Sequence, residues 1–214
     1  MRVAIFGASG ATGRLLTERC LAAGYGVTAL LRTPESFSYM NRVRLVKGNA
    51  FDPAAVAETL LGADVVLSAL GARSLKKEDV LERAVPLIVA AMEKAGPKRI
   101  IALGSAGALP SSLDKQPPWR RWIVQNIVYN TFLKHPVASQ IAQYKTLSGS
   151  SLDWTMPMPP MLVNAAGKGL EEVRVDRDAL PPDGSRISRV DVADFMMAQV
   201  TSEEYSRAGV YLCW

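Results

Sequence analysis

Short apolar, β-branched runs alternate with stretches of helical periodicity through the first hundred residues. VAIF (3–6), VTALL (27–31), VRLV (43–46), DVVLSAL (64–70) and RIIAL (99–103) read as strands, because each is a short, bounded apolar run rich in branched side chains. Between the first two, Leu15, Leu16, Arg19, Cys20 and Ala23 recur at helical spacing and Gly24 supplies a C-cap. Asp52 followed by Pro53 starts a second helix, since Asp caps and Pro is preset for a first turn. A third helix is expected from about Lys77 to Ala95, with Pro86 forcing a kink or a later start. Strands apolar on both faces imply a covered sheet, and strand-helix alternation implies parallel crossovers. The fold class is α/β, a doubly wound, mostly parallel sheet of about seven strands flanked by helices in one domain. Ligands of such sheets bind beyond the carboxyl ends of the strands, here 7–13, 32–36, 70–74 and 104–108.

The second half is less regular. Nine of the thirteen prolines fall between 110 and 182. Residues 117–134 and 137–150 read as helices and LDWTMPM (152–158) as a sixth strand. A Gly/Asp/Pro-rich loop follows at about 164–186, then a short strand and a helix with Asp191 near its start, and GVYLCW is expected to close as an edge strand. Residues 1–105 thus form one regular half and 106–214 a variable half of a single domain.

An apolar fraction of 49% with 21% charged residues excludes disorder, a collagen and a disulfide scaffold. No apolar run approaches the roughly 18 residues of a membrane span, and the start MRVAIFGASG lacks a signal-peptide layout, so a cytoplasmic protein without stable membrane insertion is expected. The net charge of +5 comes from basic residues spread along the chain without an aromatic-flanked stripe, and nucleic acid is not an expected partner. Cys20 and Cys213 have no metal-ligand spacing, and with His135 as the single histidine no zinc site or histidine triad is expected.

Gly7, Gly10 and Gly13 in FGASGATG follow a strand and open a helix, the context in which a glycine loop binds a dinucleotide: a tight turn, backbone amides close to the pyrophosphate, and tight helix-sheet packing. This makes the doubly wound domain a Rossmann domain. At the end of the second strand, where a carboxylate would accept from a ribose hydroxyl, stands Arg32. A guanidinium there suits a 2′-phosphate, so NADP(H) is the expected cofactor. Ser9 and Arg14 are candidates for further contacts. No tyrosine has a lysine four residues later, which argues against alcohol chemistry of the TyrxxxLys kind.

FGASGATG, the LLR ending of the second strand, GNAFD, SALGAR, ALGSAG, LDWTMPMPP and SRISRVDVADFMMAQVTSEEY together resemble the atypical short-chain dehydrogenase/reductases with NAD(P)H-binding domains, and among them the flavin reductase and biliverdin-IXβ reductase group. The resemblance covers nearly the whole chain. It implies Gly7, Ser9, Gly10, Ala11, Thr12 and Gly13 at the pyrophosphate, Arg32 at the 2′-phosphate, and Asn49 and Ala50 at the adenine, with Asn49 replacing the family's usual Asp. It implies Leu70, Gly71 and Arg73 along the cofactor, Ser105 as the catalytic-site serine beside the nicotinamide, and Met158, Pro159 and Pro160 as the turn that fixes the carboxamide. Lys145, beside Tyr144, is a candidate for the ribose or nicotinamide. Gln140 and Met161 stand where the biliverdin reductase has histidines, and the stretch from Ser105 to Tyr144 is longer, so a flavin or quinone suits the chain better than biliverdin.

The expected function is therefore NADPH-dependent reduction of a small planar acceptor by a protein that acts as a monomer. The alternative is an NmrA-type sensor that binds NADP(H) without turnover. Trp119, Arg120, Arg121 and Trp122 open the extra helix, for which covering a sheet edge, capping a cleft and resting on an anionic membrane surface are the three roles considered.

Overall fold

Strand β1 (Arg2–Phe6) buries Val3 and Ile5 in one apolar cluster and Ala4 and Phe6 in another, as the two-residue side-chain period of a strand between two helical layers requires. In the computed structural model, which describes residues 1–72 and 77–214, the elements that follow are α1 (Ala11–Ala22), β2 (Gly26–Leu31), β3 (Arg44–Lys47), α2 (Pro53–Leu60), β4 (Val65–Ser68), α3 (Val80–Ala95) and β5 (Arg99–Ala102). Then come α4 (Pro118–Ile123), continued without a break by a π-helical stretch (Val124–Phe132), α5 (Lys134–Ser148), β6 (Asp153–Met158), β7 (Leu162–Val163), β8 (Arg174–Asp176), β9 (Ile187–Ser188), α6 (Arg189–Ala198) and β10 (Ala208–Cys213).

The main sheet has eight strands in the order β3-β2-β1-β4-β5-β6-β10-β8. All neighbours pair in parallel except β8, which is antiparallel to β10. The strand order reverses between β1 and β4, the switch point at which doubly wound sheets open a crevice. Helices α2, α3 and α5 cover one face and α1 and α6 the other. A separate two-stranded ladder joins β7 to β9.

Local signals read from the chain are realised at several boundaries. Asp52 caps α2, its carboxylate accepting from the Ala54 amide at 2.9 Å. Gly24, at φ +73°, ends α1 while the Tyr25 amide reaches back to the Cys20 carbonyl at 2.9 Å, the six-to-one bond of a Schellman turn. Helix α3 begins at Val80, six residues before Pro86, and carries that proline in its interior rather than starting at it.

Two expectations are corrected. The sheet has eight strands rather than about seven, and β10 lies inside it rather than at its edge. The extra strand is β8, from the polar loop, and Tyr211, Leu212 and Cys213 of β10 are fully buried beneath it. Three residues with one apolar side chain carry too little periodicity to read as a strand. Their position is set by Arg174, which donates to the carbonyls of Pro182 and Trp214.

Candidate functional site

The turn after β1 sets the geometry of the crevice. Gly7 sits at φ +81°, and a Cβ there would lie 2.6 Å from the Ala69 carbonyl oxygen, so only glycine lets this turn pass under the end of β4. A Cβ on Gly13 would lie 2.0 Å from the Gly7 carbonyl oxygen, so α1 packs on the turn only because Gly13 has no side chain. Gly10 is the N-cap of α1, with no side-chain cap and no acidic residue in the first turn. The leading amides of the helix therefore face the crevice with the positive end of its dipole, an anion-binding arrangement.

A cleft of about 320 Å³ lies above this turn. It is lined by Gly7, Ser9 and Gly10, by Arg32 at the end of β2, by Asn49, Ala50 and Phe51 after β3, and by Ala69, Leu70, Gly71 and Ala72 after β4. Arg32 is exposed, and among the described residues it makes no ion pair. Glu35, three residues on, is held by Lys47 at 2.9 Å, and that hydrogen bond holds its carboxyl below the ordinary range. The Asn49 side-chain oxygen accepts from the Phe51 amide at 3.2 Å, which shapes the loop.

A second cleft of about 420 Å³ adjoins the first, sharing Ala69, Leu70, Gly71 and Ala72. Its other walls are Leu81, Leu103, Gly104, Ser105, Leu133, Pro136, Val137, Ser139, Gln140 and Leu162. The loop carrying Ser105 is stapled to the end of β6 on both sides: the Gly104 amide donates to the Pro157 carbonyl at 2.8 Å, and the Ala106 amide to the Pro159 carbonyl at 2.9 Å. None of the described lining residues of this cleft carries an ionisable side chain. Its polar groups are the hydroxyls of Ser105 and Ser139 and the amide of Gln140.

Of the residues singled out from the sequence, Gly7, Ser9, Gly10, Arg32, Asn49, Ala50, Leu70 and Gly71 share the first cleft, while Ser105 and Gln140 line the second. Ala11, Thr12 and Gly13 form the first turn of α1 behind the glycine loop. Arg14 folds back on the loop, donating to the Ser9 carbonyl at 3.1 Å and to the Ser38 hydroxyl at 3.0 Å. Arg73 lies outside the described residues. Met158 is fully buried, beneath Gly104 and Gly209. Pro159 contributes its carbonyl to the staple, Pro160 is half-buried, and Met161 is exposed. Lys145 is exposed on α5, beyond the turns of that helix that reach the second cleft, and Tyr144 turns inward onto Trp154, ring centroids 5.6 Å apart.

Two supporting residues were missed. Gln143, fully buried, donates to the Leu103 carbonyl at 2.9 Å and to the Gln140 side-chain oxygen at 3.3 Å, orienting a side chain of the second cleft. Its three-residue spacing from Gln140 was the available signal. Asp191, fully buried, accepts from the Lys168 and Gly169 amides, the Ser188 hydroxyl at 2.9 Å and the Trp214 indole at 2.8 Å. Burial opposes its charge, but these donors outweigh that effect and hold its carboxyl below the ordinary value. The sequence signal was the Ser188-x-x-Asp191 capping pattern. Among the described residues, no cluster of His, Cys, Asp and Glu could hold a metal ion.

Residues 7–203 match the family model described as NAD(P)H-binding. The uncharacterized protein YwnB of Bacillus subtilis is 23% identical over 206 residues, spanning 96% of this chain and 93% of its own length. The anaerobillin reductase ChuY of Escherichia coli O157:H7 superposes with a TM-score of 0.80 at 20% identity, covering 100% of this chain and 97% of that one. A short-chain dehydrogenase/reductase of Veillonella parvula, solved in complex with NADP, superposes equally well at 0.80 and 18% identity, covering 100% and 94%. At these identities the likeness is one of fold.

Proposed function

The chain belongs to the NAD(P)H-binding family, and from that premise we propose that it is an NADPH-dependent oxidoreductase that reduces a small planar acceptor such as a flavin or quinone. The observation that carries this reading is the junction of the two clefts along Ala69–Ala72. Ala69–Ala72 would lead a dinucleotide held in the first cleft to the wall of the second, which has room for an acceptor. The fit of the cofactor rests on the glycine turn, which a Cβ at Gly7 or Gly13 would fill, and on the uncapped start of α1. NADPH supplies a hydride when bound.

The residues divide the work. The amides at the start of α1 hold the pyrophosphate, Arg32 pairs with the 2′-phosphate, and Asn49 and Ala50 flank the adenine. Leu70 and Gly71 guide the chain of the cofactor toward Ser105, which donates a hydrogen bond in the second cleft. Apolar walls from Leu81, Leu103, Leu133 and Val137 exclude water and suit a flat ring. Because the described walls offer no acid, the preferred acceptor is one that takes its proton from solvent. The NADP complex of the Veillonella relative and the reductase activity in the name of ChuY support the cofactor and the reaction class.

The test is oxidation of NADPH by the purified protein with FMN, riboflavin or menadione. Saturable oxidation that depends on the acceptor is expected. Tight NADPH binding with no oxidation by any flavin or quinone overturns the reading in favour of a sensor.

A further inference from the structure

The helix over Pro118–Phe132 touches the body of the protein through a narrow stripe. Arg120, Val124, Val128 and Tyr129 are its partly buried residues, and every other side chain along it is exposed. Trp119 is 66% exposed, Trp122 61% and Phe132 62%, with Ile123 and Ile127 also open. Trp119, Trp122 and Ile123 follow the i, i+3, i+4 spacing of one face of α4, and Ile127, exposed in the π-helical stretch that continues it, extends the patch. An apolar patch built on two tryptophans is not what a helix covering a sheet edge needs on its outer side.

Charge narrows the occupant. Between Asp114 and Asp153 the chain has five Lys and Arg residues and no carboxylate; Lys115 is held by Asp176 and Arg120 is turned in to Gln116 and the Gly184 carbonyl, so Arg121 and Lys134 are the cations that flank the face. Arg121 shares Asp114 at 3.1 Å in a half-exposed pair, weak enough to be exchanged for another anion. Lys134, at the other end of the helix, is exposed and makes no ion pair among the described residues. Pairing this face with a second copy about a two-fold axis would bring the two Lys134 side chains together if the helices ran parallel and would set Lys134 beside the Arg121–Asp114 pair if they ran antiparallel, and neither orientation offers it an unpaired carboxylate from the helix. A surface of phosphate headgroups over acyl chains instead suits both the tryptophans, which favour the membrane-water interface, and the flanking cations.

We propose that the 118–132 helix is a peripheral docking surface for an anionic lipid bilayer, lying in the headgroup region with Trp119, Trp122, Ile123, Ile127 and Phe132 inserted. Among the described residues no helix is long and apolar enough to cross a membrane, so the contact is interfacial. Leu133, Pro136 and Val137, which follow Phe132 directly, line the second cleft, and docking sets the mouth of that cleft beside the bilayer. In combination with the reductase function proposed above, on which this one consequence rests, the acceptor becomes an apolar quinone dissolved in the membrane.

The experiment is flotation of the full chain with phosphatidylcholine vesicles, with and without phosphatidylglycerol, read alongside tryptophan emission. Flotation with the phosphatidylglycerol vesicles, a blue shift of emission and release by salt are expected. The Trp119→Ser/Trp122→Ser double variant should float at least about tenfold less, and Arg121→Gln/Lys134→Gln should lose the preference for the anionic lipid. Both side chains of the first pair are exposed, so the double variant should keep its thermal midpoint and its oxidation of NADPH by water-soluble menadione. Absence of flotation overturns the proposal. So does undiminished flotation of the tryptophan variant, or a dimer in solution that this variant converts to monomer while neither form floats. Flotation requires no turnover, so a protein that floats but never oxidises NADPH overturns the reductase reading alone.

Discussion

A Cβ on Gly13 would stand 2.0 Å from the carbonyl oxygen of Gly7, which makes the first turn of α1 and the end of β1 a single packed unit. Neither partner can move aside, because the contact is with backbone. Gly13→Ala should therefore displace α1 from the crevice, costing about 1–3 kcal/mol of stability as overpacking does. Nucleotide affinity should fall with it, since the helix amides lose their aim. Chemical denaturation together with an NADPH titration checks both effects; a variant of unchanged stability and affinity would contradict the packing argument.

Arg32 should decide between the two nicotinamide nucleotides. Replacing it with Ala removes a charge-assisted contact worth about 1.5–3 kcal/mol, roughly ten- to a hundredfold in Kd for NADPH. NADH, which lacks the 2′-phosphate, should bind the variant as it binds the wild type. Fluorescence titration of both nucleotides against both proteins is the measurement, and equal losses for NADPH and NADH would remove the role given to Arg32.

The second cleft should show its lack of ionisable walls in the pH profile. With Ser105, Ser139 and Gln140 as its described polar groups, turnover should vary little between about pH 6 and pH 8, without the bell shape of a protein acid and base. Ser105→Ala should lower kcat roughly two- to tenfold, the worth of one hydrogen bond, and leave the Kd of NADPH nearly unchanged. A steep pH dependence centred in that range would place a titrating group at the acceptor.

Asp191 links stability to acid. Its folded-state carboxyl lies below its unfolded value of about 3.9, so its contribution is present above that value and disappears as pH falls through the lower, folded one. Asp191→Asn should cost about 1.5–3 kcal/mol at neutral pH, the scale of a hydrogen bond to a charged group. The gap between variant and wild type should narrow in acid. Urea melts of both proteins at neutral and acidic pH test this; a gap independent of pH would show that the charge contributes nothing.

Both thiols should be inert in the folded state. Cys20 and Cys213 are fully buried, and burial pushes the Cys20 thiol up to about 12 and raises that of Cys213. The thiolate is the reactive form. Labelling with a disulfide reagent at neutral pH should be slow before denaturation and complete after it.

What the chain states by itself is what acts over a few residues. The β1–α1 glycine loop, the Asp52 cap, the Gly24 turn and the short apolar run of β1 each depend on neighbours within about one helical turn or one strand, so their signals survive in one dimension. Those signals sufficed for a doubly wound sheet with its crevice at the carboxyl ends. What only the tertiary structure decided depends on residues far apart. β10 became an interior strand because a three-residue segment from the polar loop pairs with it, and Tyr144 points inward because Trp154 and Gly209 meet it there. Asp191 became a hub because Trp214, twenty-three residues on, and the Lys168 loop, as many before, both donate to it. The two clefts meet because the segment after β4 is the wall of both. Caps and periods are local energies written in adjacent residues. Strand order, the partners of a buried charge and the meeting of two clefts are set when the whole chain closes on its core, and no short stretch of sequence carries them.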